Sequence, residues 1–461
     1  MLWRLCAVLL AAGTVLTVGQ TPREVSLVLT GGAVVTMDSS GRVLSPGAVA
    51  VDGRQIVAVG APEAIAAQFK ARESVDTGGQ VVLPGLINTH THAPMVLYRG
   101  LADDLPLMEW LQKYMFPAEA KTVSPEFVGA GTRLAVLEMI QSGTTAYADM
   151  YYFEEEIAKA TKEAGIRGVL GQTIIEFPVA DARTPSEGIA RAEAFLREWA
   201  EDDLIVPAIA PHAMYTLDTS TLKAIRAVAD RERAPVIIHL AETRDEIKIA
   251  RDRHKATPVQ YLESIGFWGP RTIAAHGVWL TPADIRTLAR RQVGVAHNPE
   301  SNMKLASGTA PVIDLRKAGV PVGLGTDGAA SNNDLDMFEA MRQAALLHKL
   351  TTGDPRAIPA STALRMATLE GARVLGLDKE IGSLEPGKRA DMIVVSMSSA
   401  RQTPLYDPVS HLVYVTRGDD VRSTIVNGRF VMRDRRVLTM NETAVLDEAR
   451  AWAEKVRRAV K

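Results

Sequence analysis

The sequence predicts an α/β protein: a (β/α)8 barrel of the TIM type, with a small flanking β-sandwich domain formed by both ends of the chain. Three observations carry this. Buried-type strands alternate with amphipathic helical stretches through the middle of the 461-residue chain. Short β-type runs cluster at the two ends, outside that segment. Six of the nine histidines fall where the expected barrel strands end.

Residues 1–20 have the pattern of a secretory signal. Arg4 is the only charge, an apolar run goes from Leu5 to Val18, and Thr17-Val18-Gly19 offers a small-residue cleavage site. Gly13, Thr14 and Thr17 interrupt the run, which is short for a membrane span. The expectation is a periplasmic or secreted protein with no stable membrane association after cleavage. Without a working signal it would be cytoplasmic. Cys6, the single cysteine, lies inside this segment, so a cleaved chain has neither disulfides nor cysteine–metal chemistry.

Within 24–82 the runs 26–30, 33–37, 47–51 and 55–59 are separated by turn residues, among them the hairpin signal Asp52-Gly53. The texture returns over 382–437, with Leu384-Glu385-Pro386-Gly387-Lys388 and Asn427-Gly428 as turns. β-rich pieces at opposite ends pair with each other, so 24–82 and 382–437 form the flanking domain. Residues 83–381 are then one inserted barrel, and 438–461 a C-terminal helix.

The eight barrel strands are expected at 82–88, 144–149, 168–174, 205–211, 235–240, 272–276, 293–297 and 320–326. Helical stretches at 126–142, 154–164, 187–201, 220–233 and 282–290 fall between them. An open doubly wound sheet fits worse, because no glycine-rich phosphate loop follows any strand.

In such a barrel the active site lies at the C-terminal ends of the strands. His90 and His92 follow the first strand, Asp149 ends the second and Gln172 sits in the third. His212 follows the fourth, and His239, His276, His297 and Asp327 stand at the ends of the remaining four. His254, His348 and His411 read as ordinary polar or helical residues.

His90 and His92, two apart on a strand, project to the same side. With His239 and Asp327 they make a first shell of three imidazoles and a carboxylate. That set suits Zn2+ with water in the remaining position, and Fe2+ or Mn2+ would tolerate it. Glu242, three residues after His239, is placed to carry protons beside the water, with His276 and Asp327 orienting and deprotonating it. The chemistry expected is hydrolysis at an electron-poor carbon.

Composition agrees with an enzyme: hydrophobic residues make up 47% and charged residues 23%. A net charge of -2 and a pI near 6.5 argue against nucleic acid or an anionic membrane as partner. A homo-oligomer is left open.

Leu83-Pro84-Gly85-Leu86-Ile87-Asn88-Thr89-His90-Thr91-His92, the His239/Glu242 pair, Ala275-His276-Gly277 and Gly325-Thr326-Asp327-Gly328 resemble the amidohydrolase superfamily. So does Glu385-Pro386-Gly387-Lys388-Arg389-Ala390-Asp391 in the flanking domain. No lysine lies near the ends of strands three and four, which resembles the mononuclear branch, with one Zn2+ per subunit.

Narrower features are similar to the 5-methylthioadenosine/S-adenosylhomocysteine deaminases: His92-Ala93-Pro94-Met95, the run 99–107, Glu109-Trp110-Leu111, Phe116-Pro117-Ala118-Glu119, the run 297–305 and the run 325–333. That resemblance implies deamination of an adenine nucleoside to its inosine counterpart plus ammonia. It implies that Glu119 binds the ribose hydroxyls, that His212 meets the substrate and that Trp110 forms an apolar wall, with Glu242 and Asp327 also against the substrate.

Family members can place an arginine for the amino-acid tail of S-adenosylhomocysteine at the position of Gln172, which offers amide donors and no charge. Arg183 is a candidate replacement, and Glu176 would repel that tail. Methylthioadenosine or adenosine is therefore the expected better substrate. The alternatives are an s-triazine chlorohydrolase, a guanine-type deaminase or a non-catalytic binding homologue.

Overall fold

The structure, a computed structural model, describes residues 21–460. The expected signal segment lies outside the described residues.

Eight parallel strands follow one another in chain order: Leu86–Thr91, Thr144–Tyr151, Arg167–Ile174, Ile205–Pro211, Val236–Leu240, Thr272–His276, Gly294–His297 and Val322–Leu324. They are called strands one to eight below. Polar contacts close strand eight onto strand one. Thr89 Oγ1 donates to the Leu324 carbonyl at 2.8 Å, Asn88 Nδ2 to Thr326 Oγ1 at 2.7 Å, and the Asp327 N–H to the His90 carbonyl at 3.0 Å.

Alternation along the strands divides the side chains between two cores. Ile87, Ala146, Ala148, Val169, Ala208 and Ile237 belong to one buried cluster, plugged by Ala372 and Leu375. Their neighbours Tyr147, Leu170, Ile209 and Ile238 pack in a second, larger cluster with the helices. Helices Pro125–Gln141, Pro185–Glu198 and Thr219–Glu232 begin at Ser124, Thr184 and Asp218, whose side chains accept a backbone N–H of the first turn. Such caps contribute about 1 kcal/mol each.

The ends of the chain meet. Strand Met392–Ser396 pairs antiparallel with Gln80–Pro84 inside a seven-stranded sheet, and a four-stranded sheet is built from Arg23–Thr30, Ala48–Asp52, Gln55–Gly60 and Phe69–Asp76. Here the expected first barrel strand needs correction. Residues 82–88 are the parts of two strands, one in the flanking sheet and one in the barrel, with the corner at Gly85. A Cβ there would lie 2.0 Å from Thr145 Oγ1, so only glycine lets the chain turn so close to strand two. The buried Arg167 guanidinium holds Asp391 at 3.1 Å and ties strand three to the flanking sheet.

After strand one the chain covers the barrel mouth with Ala93–Tyr98, Leu107–Trp110, a π-helical turn at Leu111–Met115 and Phe116–Thr122. The C-terminal helix Glu442–Val460 packs on helix Pro125–Gln141, where Glu448 pairs with Arg133 at 2.7 Å and Trp452 meets Phe127 edge to face, and it reaches the cover where Lys121 donates to the Ala459 carbonyl at 2.9 Å. Among the described residues no helix is long and apolar enough to cross a membrane.

Candidate active site

Four side chains from three places in the chain converge at the top of the barrel. His92 Nδ1 lies 2.7 Å from the Met150 carbonyl, and His239 Nδ1 lies 2.8 Å from the His212 carbonyl. A carbonyl only accepts, so both Nδ1 atoms carry the hydrogen and both Nε2 atoms present a lone pair. Those Nε2 atoms stand 3.3 Å apart, and Asp327 Oδ1 lies 3.3 Å from His92 Nε2 and 3.4 Å from His90 Nε2. Lone pairs this close repel unless a cation lies among them. Two donors at about 2.0–2.1 Å from one tetrahedral zinc stand about 3.3 Å apart, which matches these separations. Among the described residues the fully buried His90 has no hydrogen-bond partner for either ring nitrogen, the mark of a ligand whose partner is an ion. The donor set fits Zn2+.

The geometry is held from behind. Ser301 Oγ and Ser331 Oγ donate to Asp327 Oδ2 at 2.7 and 2.9 Å, and the Gly328 N–H to Oδ1 at 2.8 Å. Burial would raise the Asp327 pKa, but His90 and His92 hold it well below the usual carboxylate range. The place therefore attracts positive charge.

His276 has the parity of Ala274, which packs with the helices, so regular alternation would turn it away from the barrel axis. Its φ of 73° redirects the ring into the site. Asn302 Oδ1 accepts from Nδ1 at 3.0 Å, which leaves Nε2 facing Glu242 Oε2 at 3.8 Å and Asp327 Oδ2 at 4.0 Å. Glu242 is buried, and that burial raises its pKa. Its loop is fixed by Glu246, whose carboxylate accepts the N–H groups of Ala241 and Glu242 at 2.9 and 3.0 Å.

The cavity above is lined by His92, His212, His239, Glu242, His276 and Asp327 on its polar side. Trp110, Leu111, Met115, Phe116 and Leu305 form apolar walls, and Glu119 also lines the cavity. His212 Nδ1 contacts Thr216 Oγ1 at 3.2 Å, and burial lowers its pKa to about 3, so it is a neutral imidazole. Glu119 accepts from the Tyr151 hydroxyl at 2.7 Å, and burial raises its pKa to about 7.

Gln172 is the site residue that the structure moves elsewhere. It shares the parity of Leu170 and faces outward, where its Nε2 donates to Asp181 Oδ2 at 2.8 Å. Thr173, one residue on, has the parity of Val169 and lines the cavity instead. Glu176 also turns away, accepting from the Asp218 N–H at 3.2 Å. Arg183 is not among the lining residues. His297 and His348 form a buried pair with Nε2 atoms 3.2 Å apart, so His348 is not an ordinary helical residue.

Sequence reasoning did not single out Tyr151, Ser301, Ser331, Asn302 or Glu246. Ser301 and Asn302 lie in the run 297–305, and their spacing from His297 was the available signal. Tyr151 shares the parity of Tyr147, which packs with the helices, so strand parity gave no signal for it.

Barrel and site together define a metal-dependent hydrolase. The chain belongs to the amidohydrolase family, whose profile matches residues 81–431. A 5-methylthioadenosine/S-adenosylhomocysteine deaminase of Syntrophobacter fumaroxidans is 50% identical, covering 94% of this chain and 98% of its own. A 5'-deoxyadenosine deaminase of Methanosarcina acetivorans is 46% identical, covering 92% and 96%. The crystal structure of an adenosine deaminase from Xanthomonas campestris with bound zinc superposes with a TM-score of 0.93 at 40% identity, covering 95% of this chain and all of that one.

Proposed function

We propose that this chain is a Zn2+-dependent aminohydrolase that converts an adenine nucleoside, such as 5-methylthioadenosine, S-adenosylhomocysteine or adenosine, to its inosine counterpart and ammonia. The observation that carries the reading is one cavity lined both by residues of a cluster that could hold a metal, with Glu242 beside it, and by the Glu119 carboxylate. A free base or a triazine offers that carboxylate no hydroxyl. Relatives named as deaminases of such nucleosides, alike over nearly the whole chain, support it.

His90, His92, His239 and Asp327 would hold the ion. When bound, zinc brings the pKa of a coordinated water from 15.7 to about 7. The chain's own groups then manage the protons. Glu242 donates to a ring nitrogen of the purine as water adds at C6. Asp327 and His276 take the proton that the water loses. A proton returned to the exocyclic nitrogen lets the C6–N bond break, and ammonia leaves. Tucked under the covering helices, the apolar walls keep bulk water from competing for these transfers. Trp110 and neutral His212 orient the base, and Glu119 takes the sugar.

The test is an absorbance and ammonia-release screen of purified protein against adenosine, methylthioadenosine, S-adenosylhomocysteine, guanine and a chlorotriazine. Turnover of a nucleoside with one ammonia per inosine product is expected. Turnover of guanine or the triazine alone would overturn the reading.

A further inference from the structure

Glu246 makes contacts that helix capping does not call for. Helix Arg244–His254 begins at Thr243, whose side chain accepts the Glu246 N–H at 3.4 Å. In a capping box the carboxylate at this third position would reach back to the Thr243 N–H. Here it passes Thr243 and takes two N–H groups nearer the strand, that of Ala241 at Oε1 and that of Glu242 at Oε2. The peptide between Ala241 and Glu242 is held on its other side too. Its carbonyl accepts the N–H groups of Val278 and Trp279 at 3.1 and 2.8 Å, just past His276. Both of the loops so joined turn through left-handed residues, Ala241 at φ 50° and His276 at φ 73°. The Glu242 carboxylate itself is held weakly by comparison: among the described residues its hydrogen bond is from Ser307 Oγ, at 3.5 Å. The direction of that side chain is therefore set by the backbone from which it hangs.

We infer that Glu246 is a positioning residue for the reaction: its carboxylate pins the two peptides that lead into Glu242 and so aims the Glu242 side chain at the reacting atoms beside His276. Glu246 is not among the residues that line the cavity, so it acts through Glu242 rather than on the substrate. The inference rests on the proton-carrying part that the reading above gives Glu242, and deepens it.

The experiment measures Glu246→Gln as the metal-loaded enzyme. Its amide oxygen accepts one of the two N–H groups, and its NH2 faces the other. A buried N–H left without an acceptor shifts an equilibrium about 5- to 150-fold. In this variant kcat should therefore fall at least about fivefold, with KM within about threefold of wild type and metal still about one per chain. The deciding readout is the double variant. In a Glu242→Gln background, adding Glu246→Gln should change kcat by less than about twofold, because the side chain it aims no longer carries the proton. A merely structural role would multiply the two losses. Glu246→Asp, one methylene shorter with the charge kept, gives the same comparison if the amide variant does not fold. A single-variant kcat within about twofold of wild type would overturn the inference. So would multiplied losses in the double variant, or a loss of metal that accounts for the fall in kcat. A wild type that turns over guanine or the triazine alone would overturn the nucleoside reading, and the comparison then decides the part of Glu246 on that substrate. A wild type that turns over none of them would overturn both.

Discussion

The Nε2 atoms of His92 and His239 stand 3.3 Å apart, although 147 residues separate them in the chain. Each ring is pinned through Nδ1 by a carbonyl from a neighbouring strand, Met150 for one and His212 for the other. These two hydrogen bonds orient both rings toward one point. His239→Ala should lose most bound metal by plasma mass spectrometry, from about one per chain in the wild type. An ion held only by the native state stabilises it by about 2.7 kcal/mol at a hundred times its Kd, so chelation should lower the wild-type thermal midpoint and leave the variant's almost unmoved. Full metal occupancy in His239→Ala would remove it from the ligand set.

Glu242→Gln should keep its metal and lose about 10²- to 10⁴-fold in kcat, the usual contribution of a general acid–base residue. The amide preserves the size of the side chain buried beside His276 but cannot give up a proton in the same way. A loss under tenfold would take Glu242 out of the proton transfers.

Glu119→Ala should raise KM for nucleosides by about 10- to 150-fold, the equivalent of one charged hydrogen bond of 1.5–3 kcal/mol. KM for a free base should change far less. An equal effect on both would make Glu119 a structural residue that supports Tyr151.

Methylthioadenosine or adenosine should be turned over with higher kcat/KM than S-adenosylhomocysteine. Beside Glu119 a second cavity of about 220 Å3 is lined by Phe116, Ala120, Tyr152, Phe177, Pro178 and Val179, with no cationic side chain to pair an amino-acid carboxylate. Equal or better kcat/KM for S-adenosylhomocysteine would point to Arg183 swinging in.

Gln172→Met should lower stability by about 1–3 kcal/mol, because Asp181 would lose a buried donor. Thermal or urea unfolding reads this, while KM should stay within about twofold. A tenfold rise in KM at unchanged stability would return Gln172 to the substrate.

The fold class was legible in the sequence, and the proposed ligand set and Glu242 were chosen, for one physical reason. Barrel strands are short, buried runs, and polar residues at their ends have no structural excuse, so His90, His92, His239 and Asp327 mark themselves by where they stand. Pairing of the two β-rich ends followed from the same logic of incomplete sheets. Side-chain direction was harder. Gln172 carried the chemistry of a contact residue, but the parity shared with Leu170 faces it outward, and His276 escapes its own parity only through a left-handed φ of 73°. The corner at Gly85, which hands the chain from flanking sheet to barrel, was hidden because both strands are equally apolar. What the sequence determined by itself is which chemistry the protein carries, since that depends on residue type and order along strands. Only the tertiary structure decided which oxygen of Glu119 is free and which nitrogen of each histidine is bare, because those follow from hydrogen bonds between strands far apart in the chain.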